Sequence, residues 1–271
     1  MKKKRLFINI HYLEIGGAER ALLGLLSALD PEKVDIDLFV NQHTGEFMSL
    51  IPDYVNLLPE VSEYTCIERP IVTIVKEGHW KIAICRMWAK WKHRQYLRNL
   101  TTEEYHHDSS IFQYVANAVE EALPSLNNLG VYDLAISFLQ PHNIVLNKVK
   151  AQKKICWIHT DYSTIHVNHD LELPVWNAFD YVASISDDCT EAFLRTFPEL
   201  KNKIVLIENI LSPLFVRQQA DMEDVTAEMP DEQDVVKVLT IGRFSPQKKI
   251  EGIPHICAEM ERLGVNFKWY I

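Results

Sequence analysis

The stretch LFINIHYLEIGGAERALLGLLSALDPEKVDIDLFV, residues 6–40, decides the fold of this chain. It begins with an apolar run, residues 6–11, that predicts a buried strand, and it ends with a second such run, residues 34–40. Between them, apolar residues recur at helical spacing from about residue 18 to residue 29, which predicts an amphipathic helix. A strand, a helix and a strand in this order predict a β-α-β unit with two parallel strands.

Short apolar runs continue beyond this unit. A segment long enough for a helix separates each from the next, and the runs cover residues 132–138, 154–158, 181–185 and 204–207. Strands that are buried on both faces and alternate with helices are typical of a parallel sheet. We therefore predict an α/β fold whose first domain is a Rossmann-like, doubly wound parallel sheet.

The pattern fails between residues 213 and 234, where the sequence is polar and acidic. It resumes with apolar runs and a helical spacing typical of one further βαβ unit. We interpret that unit as the start of a second Rossmann-like domain. The expected organisation is a domain over residues 1–212, an interdomain connection over 213–234 and an incomplete second domain over 235–271.

Composition and charge narrow the function classes. The chain has 271 residues, 47% of them hydrophobic, and its formal net charge of −9 argues against nucleic acid as a partner. Its five cysteines form no CxxC pair, which is typical of reduced thiols in the cytosol. No apolar run approaches the ~18 residues of a membrane-spanning helix, and the run after the basic N-terminus is too short for export. We expect a cytoplasmic protein whose membrane contact, where it exists, is peripheral and on the inner face.

Two short turns can present backbone N–H groups to an anion, because each follows a predicted strand and opens a predicted helix. The first contains Gly16 and Gly17, which let the backbone approach a ligand, although such a pair is equally typical of a plain strand-to-helix turn. The second, residues 242–249, carries Arg243 and Lys248. Cations at a helix start are unfavourable unless an anion joins them, so this turn predicts a diphosphate site.

Two polar residues, His159 and Asp161, follow the predicted strand 154–158. They lie just past its carboxyl end, where open α/β sheets assemble their sites, so we predict that both are catalytic. A metal site is not expected, because the nearby histidines and aspartates match no common zinc spacing: His159, Asp161, His166, His169 and Asp170. The triplet Asp35-Ile36-Asp37 has the form of a metal-chelating DxD motif, but its place inside a strand favours an exposed polar face.

The segment from residue 76 to residue 98 carries seven basic residues and one acidic residue, a net charge of +6. Its tryptophans recur at helical spacing. Two interpretations stay open. In one, a helix packs its tryptophans on the sheet and turns its lysines to water. In the other, it forms a surface for an anionic membrane or for the acceptor, through Trp80, Arg86, Trp88, Lys90, Trp91 and Lys92.

Five motifs, in this order, resemble those of the retaining glycosyltransferases of family 4. They are GGAE at residues 16–19, WIH at 157–159, VASISD at 182–187, IEN at 207–209 and GRFSPQK at 242–248. The resemblance spans nearly the whole chain, and its last motif is the most specific. It implies the GT-B fold, in which two Rossmann-like domains face each other.

The resemblance also implies a nucleotide-diphosphate sugar as the donor substrate and no cofactor. The diphosphate would contact Arg243, Lys248 and the turn at Gly16 and Gly17, and His159 would face the donor sugar. The hydroxyl of a glycan or lipid-linked acceptor would attack the anomeric carbon with retention, in the assembly of a polysaccharide. Cations and helix N-termini can stabilise the leaving diphosphate without a metal.

The sequence departs from the family in one respect, since it ends before the region of the family's glutamate-rich motif for the donor. We therefore expect a truncated glycosyltransferase that is weak or inactive by itself. Two alternatives stay open. One is a noncatalytic binding protein derived from a glycosyltransferase, and the other is a GT-B-like epimerase or phosphorylase.

Overall fold

A computed structural model describes residues 2–211, 213–221, 223–242, 244 and 248–271, with backbone alone at residues 214, 215 and 218. The chain divides into two compact units, Met1–Ser212 and Pro213–Ile271. No helix among the described residues is long and apolar enough to cross a membrane.

The first unit is built on seven parallel strands. They are β1 (Lys4–Ile10), β2 (Val34–Val40), β3 (Asn56–Leu57), β4 (Val131–Ser137), β5 (Lys150–Ile158), β6 (Tyr181–Ser184) and β7 (Ile204–Leu206). Their order in the sheet is β3-β2-β1-β4-β5-β6-β7, and every pairing is parallel. The predicted Rossmann-like, doubly wound sheet is confirmed, and its order reverses between β1 and β4.

Nine α-helices belong to the described part of this unit. They are α1 (Gly17–Ala28), α2 (Ser62–Thr65), α3 (Ile71–Lys76), α4 (Trp80–Leu97), α5 (Thr102–His107), α6 (Ile111–Val119), α7 (Asn143–Lys148), α8 (His169–Asn177) and α9 (Asp187–Thr196). Short 3-10 turns cover Glu46–Leu50, Glu120–Ala122, Asn127–Leu129 and Pro198–Lys203. Five of the helices, α2 to α6, lie between β3 and β4, in a stretch where the sequence predicts no strand.

The core forms on both faces of the sheet because the central strands are apolar at successive positions. Phe7, Ile8 and Ile10 of β1 are fully buried, although alternate residues of a strand point to opposite faces. The ring of Phe7 lies 5.3 Å from that of Tyr132 on β4. The helices α1 and α9 cover the sheet through buried residues such as Leu22 and Phe193.

Gly24 lets a backbone segment approach α1 closely. A Cβ atom at this position would overlap the carbonyl of Ile210, which follows β7. The glycine in the middle of the helix therefore has a packing role that offsets its low helix propensity.

The second unit contains a parallel β-α-β unit. Strands β8 (Val236–Leu239) and β9 (Phe267–Tyr270) pair in parallel, and α11 (Ile253–Arg262) connects them. This confirms the βαβ unit expected from the sequence. The segment interpreted as an interdomain connection begins with a further helix, α10 (Pro213–Ala220). A 3-10 turn, Ile250–Gly252, precedes α11.

A buried carboxyl group links α8 to the loop after β4. Glu172 is almost fully buried and accepts hydrogen bonds from Gln140 Nε2 at 2.8 Å, from Trp176 Nε1 at 3.3 Å and from the Tyr162 hydroxyl at 3.4 Å. Burial raises the pKa of Glu172 to about 7, and the three hydrogen bonds limit the rise.

This pKa makes the stability of the first unit depend on pH. Between the ordinary value of 4.5 and about 7, folded Glu172 keeps a proton that the unfolded chain has lost, so stability falls as pH rises through this window. Relative to Glu172→Gln, we expect the wild type to lose about 3 kcal/mol of unfolding free energy between pH 4.5 and 7.5. Urea denaturation of both proteins at a series of pH values measures this loss of unfolding free energy.

The matched control for this prediction is Glu103→Gln, the same change at an exposed position of α5. It should leave the pH dependence of the wild type unchanged. If the difference in stability between the wild type and Glu172→Gln did not vary with pH, the raised pKa would be wrong.

Candidate functional site

The carboxyl ends of the central strands define the edge of the sheet where a site is expected. All seven strands are parallel, so His11 after β1, Phe138 after β4 and His159 after β5 leave the sheet at the same edge. Open α/β sheets bind ligands outside this edge, at the point where the strand order reverses. The rings of Phe138 and His159 are in contact, with centroids 4.6 Å apart.

Aromatic packing holds the ring of His159 in place. Its ring is nearly parallel to the indole of Trp157, at an angle of 6°, and its Nε2 has no hydrogen-bond partner among the described residues. Burial lowers the pKa of His159 to about 4. The imidazole is therefore neutral near pH 7, and it can exchange a hydrogen bond with a ligand without supplying a positive charge.

His159 and Asp161 both line a cavity of about 400 Å³. Its other walls come from the turn after β5 and from β6 and α9, and they are Ser163, Ile185, Ser186, Asp188, Cys189, Glu191, Ala192 and Arg195. Ser186 caps α9, because its side chain accepts a hydrogen bond from the Cys189 amide at 3.1 Å. The motif at residues 182–187 thus contributes both a strand end and a helix start to this cavity.

The cavity is acidic. Asp161, Asp188 and Glu191 line it, against one cation, Arg195, whose guanidinium lies 3.3 Å from Glu191. Oδ1 of Asp161 accepts hydrogen bonds from the hydroxyl and amide of Ser163, at 2.6 and 2.9 Å, and these bonds lower its pKa. Carboxylates repel a diphosphate but accept hydrogen bonds from hydroxyl groups, so this lining suits a neutral polyhydroxylated group.

The glycine turn at the start of α1 carries an anion of its own. Gly16 is the N-cap residue and Gly17 the first residue of the helix. A Cβ atom on Gly16 would overlap the carboxylate of Glu19, which is buried, whereas one on Gly17 would meet nothing within 4 Å. The structure therefore explains Gly16 by the close approach of a carboxylate, which favours the positive end of the helix as a phosphate would.

The cations of the second predicted turn lie in the second unit. Lys248 is exposed, and its side chain passes over Gly242, with Cγ 3.4 Å from where a Cβ on that glycine would be. Arg243 lies outside the described residues. Lys249, next to Lys248, has a left-handed backbone with φ 50° and begins the 3-10 turn before α11.

A second histidine at the sheet edge, His11, is not among the site residues predicted from the sequence. It is buried, its Nδ1 lies 2.6 Å from Oε1 of Glu68, and its Nε2 has no hydrogen-bond partner among the described residues. Burial favours a higher pKa for Glu68, but the hydrogen bond and charge of His11 and the charge of Arg86 lower it overall. A histidine oriented by a carboxylate, with its other nitrogen free, can take a proton from a hydroxyl group.

A third histidine, His142, follows the same pattern more deeply in the protein. Its Nδ1 lies 2.8 Å from the Ser137 hydroxyl at the end of β4, and its Nε2 is unpartnered within the described chain. Burial, with smaller contributions from the charges of His11 and His159, lowers its pKa to about 3. The position of His11 directly after a buried strand could have identified it from the sequence, whereas Glu68 and His142 carry no such signal.

Arg86, expected on the exposed surface of the basic segment, is buried instead. Its guanidinium donates to the carbonyl of Cys66 at 2.8 Å and to that of Arg69. The expectation for this residue needs correction, because Arg86 fixes the backbone on both sides of Glu68. Lys90, Lys92 and the three tryptophans of the segment are exposed.

A cavity of about 300 Å³ lies beside Glu68, between α4 and α6. Arg86 and Lys90 line it on α4, and the other walls are mainly apolar: Ile67, Ile111, Phe112, Val115 and Pro141. Two much smaller cavities, of about 10 Å³ each, are lined by both His11 and Ile67. The larger cavity reaches Glu68, the partner of His11, from the side of α4.

The residues considered as metal ligands have other contacts. His166 Nε2 lies 2.9 Å from the Tyr96 hydroxyl, and His169 stacks on Phe197 at 5.2 Å. Asp37 accepts a hydrogen bond from the Tyr132 hydroxyl at 2.6 Å. Among the described residues, no group of three or more histidine, cysteine, aspartate or glutamate side chains is arranged to hold a metal ion.

Comparisons with known proteins bear on the fold. The sequence matches no family model and no curated protein. Anabaena HepE with UDP and glucose is similar at a TM-score of 0.48 and 12% identity, covering 98% of this chain and 68% of HepE. HepE with UDP-glucose has a TM-score of 0.45 at 13% identity, covering 99% of this chain and 69% of HepE. A mutant of S. aureus TarM with fondaparinux, α-GlcNAc-glycerol and UDP has a TM-score of 0.52 at 12% identity, covering 98% of this chain and 72% of TarM. These neighbours are GT-B glycosyltransferases, and the likeness to TarM shows that this chain shares their fold.

Proposed function

We propose that the chain is a glycosyltransferase that moves a sugar from a nucleotide-diphosphate sugar to a glycan or lipid-linked acceptor. The observation that carries the proposal is the acidic cavity beside His159 at the carboxyl edge of the sheet. Its carboxylates and its neutral imidazole match the hydroxyl groups of a sugar. The GT-B fold supports the same class, as does UDP in the TarM structure.

In this proposal the two units have different tasks. The donor sugar lies beside His159 and Asp161, where carboxylates stabilise the positive charge that develops at the anomeric carbon. The second unit binds the diphosphate through Arg243 and Lys248, because the lining of the acidic cavity does not favour an anion.

The acceptor hydroxyl is assigned to the His11 and Glu68 pair, because Glu68 also lines the cavity between α4 and α6. The hydroxyl gives its proton to His11 and forms the new bond to the anomeric carbon as the bond to the diphosphate breaks, and retention follows the resemblance to family 4. A polysaccharide or lipid-linked glycan fits this cavity, because its walls are partly apolar and carry Lys90.

The noncatalytic alternative is a protein that binds a glycan in the acidic cavity without transferring a sugar. Donor binding and sugar release, measured separately, distinguish the two functions.

We expect His159→Ala to lower the rate of sugar release from a nucleotide sugar at least tenfold, because a buried hydrogen bond to the sugar is lost. Binding of the nucleoside diphosphate alone should change little, because the imidazole is assigned to the sugar. The rate of sugar release is measured as release of the diphosphate from UDP-glucose and related donors. Binding of the nucleoside diphosphate is measured by calorimetry with UDP and GDP. His106→Ala, at an exposed position of α5, is the matched control. Donor binding without any sugar release by the wild type would support the noncatalytic function instead.

We expect Lys248→Glu to weaken the binding of a nucleoside diphosphate at least tenfold, because a charge-assisted hydrogen bond is replaced by repulsion. The loss should shrink as salt is added. Calorimetry at two salt concentrations measures it, with Lys201→Glu, an exposed lysine of the first unit, as the control. Equal affinities of the two variants would exclude Lys248 from the diphosphate site.

A further inference from the structure

Helix α4 has two apolar faces. One is buried and includes Ile82, Ala83 and Ala89. The other is open to solvent, and its five residues are between 50% and 64% exposed: Trp80, Ile84, Met87, Trp88 and Trp91. We call these five residues the tryptophan band.

The tryptophan band is continuous along the helix. At 100° per residue, its five side chains fall within an arc of about 100° over three turns. The tryptophans therefore do not pack on the sheet, which was the first of the two interpretations of the sequence. A band of this size on an exposed helix marks an interaction surface.

Basic residues border the tryptophan band on both sides. By the same helical geometry, Lys81 and Lys92 lie along one edge, and Lys90 and Arg94 lie along the other. All four are exposed, and no acidic residue occurs between residues 80 and 98. The Lys92 ammonium lies 3.9 Å from the ring centre of Trp88, so this positive charge lies directly against the tryptophan band.

Neighbouring helices carry further exposed apolar residues. Helix α3 contacts α4 and carries exposed Val72 and Val75, followed by exposed Lys76. Helix α6 also contacts α4 and carries exposed Phe112, which lines the cavity beside Glu68.

We propose that the tryptophan band docks this chain on a bilayer surface that contains anionic lipids. Tryptophan rings favour the headgroup region, and lysines at the borders reach the lipid phosphates. The positive segment lies in a chain of net charge −9, so attraction to an anionic surface acts at this face and not over the whole molecule. The helix lies in the plane of the membrane.

The charges argue against a second copy of the chain as the occupant. A two-fold dimer through the tryptophan band would place the same surface on both sides, so the basic borders of the two copies would face each other. Anionic headgroups complement these borders instead. The proposal does not depend on sugar transfer, because every residue that it uses belongs to α4 and its neighbours.

The test is co-sedimentation of the full chain with vesicles of phosphatidylcholine, with and without phosphatidylglycerol. We expect binding to the anionic vesicles, a marked loss of binding at high salt, and little binding to phosphatidylcholine alone. Trp88→Ser combined with Trp91→Ser should lower the partition coefficient at least tenfold. Lys81→Gln combined with Lys92→Gln should lower it about 30-fold, since each lysine near an anionic surface contributes about fivefold.

The matched control is Val131→Ser combined with Leu206→Ser. These residues are 57% and 51% exposed, so this variant also removes two exposed apolar side chains, but outside the tryptophan band. It should bind as the wild type does, and circular dichroism should show all variants folded. Equal binding by the tryptophan variant and this control would overturn the proposal, as would failure of the wild type to bind anionic vesicles. A dimer in sedimentation analysis that the tryptophan variant abolishes would assign the band to a second copy instead.

Discussion

Strand β1 pairs in parallel with β2 on one side and with β4 on the other, and the rest of the first unit depends on these two pairings. In this register Ile8 lies between Leu38 and Ile136, all at the centre of the sheet. Because both pairings are parallel, the chain must return by a crossover after each strand, and the helices cover both faces. The same direction brings the residues after β1, β4 and β5 to one edge, where the candidate site lies.

The chemistry of this edge follows from burial. His142 and His159 lie among aromatic rings, so each loses its charge, and each keeps an Nε2 without a partner among the described residues. His11 differs, because Glu68 accepts at its Nδ1 and fixes the ring. Glu68 is in turn held by Arg86, which donates to backbone carbonyls on both sides of it. A buried cation thus orients a carboxylate, and the carboxylate orients a histidine.

The sequence was sufficient for the parts of the structure that depend on periodicity. The runs that became β1 and β4 to β6 contain apolar residues at successive positions, as strands buried on both faces need. Contacts made by individual side chains give no such periodic pattern in the sequence. Glu68 contacts His11 across 57 residues, and the approach of the Glu19 carboxylate to Gly16 depends on the conformation of the glutamate side chain. The tryptophans of α4 could not be assigned from the sequence, because a helix with apolar residues on two faces gives no clear direction of amphipathicity.

The distribution of charge decides which unit can bind a diphosphate. Around His159 the cavity carries Asp161, Asp188 and Glu191, and its one cation, Arg195, lies beside Glu191. At the start of α1 the helix dipole already interacts with Glu19. A diphosphate placed in the acidic cavity or at the start of α1 would therefore meet more negative than positive charge. If the chain handles a nucleotide sugar, the cations of residues 242–249 supply the binding of the phosphates, and the first unit acts on the sugar and the acceptor.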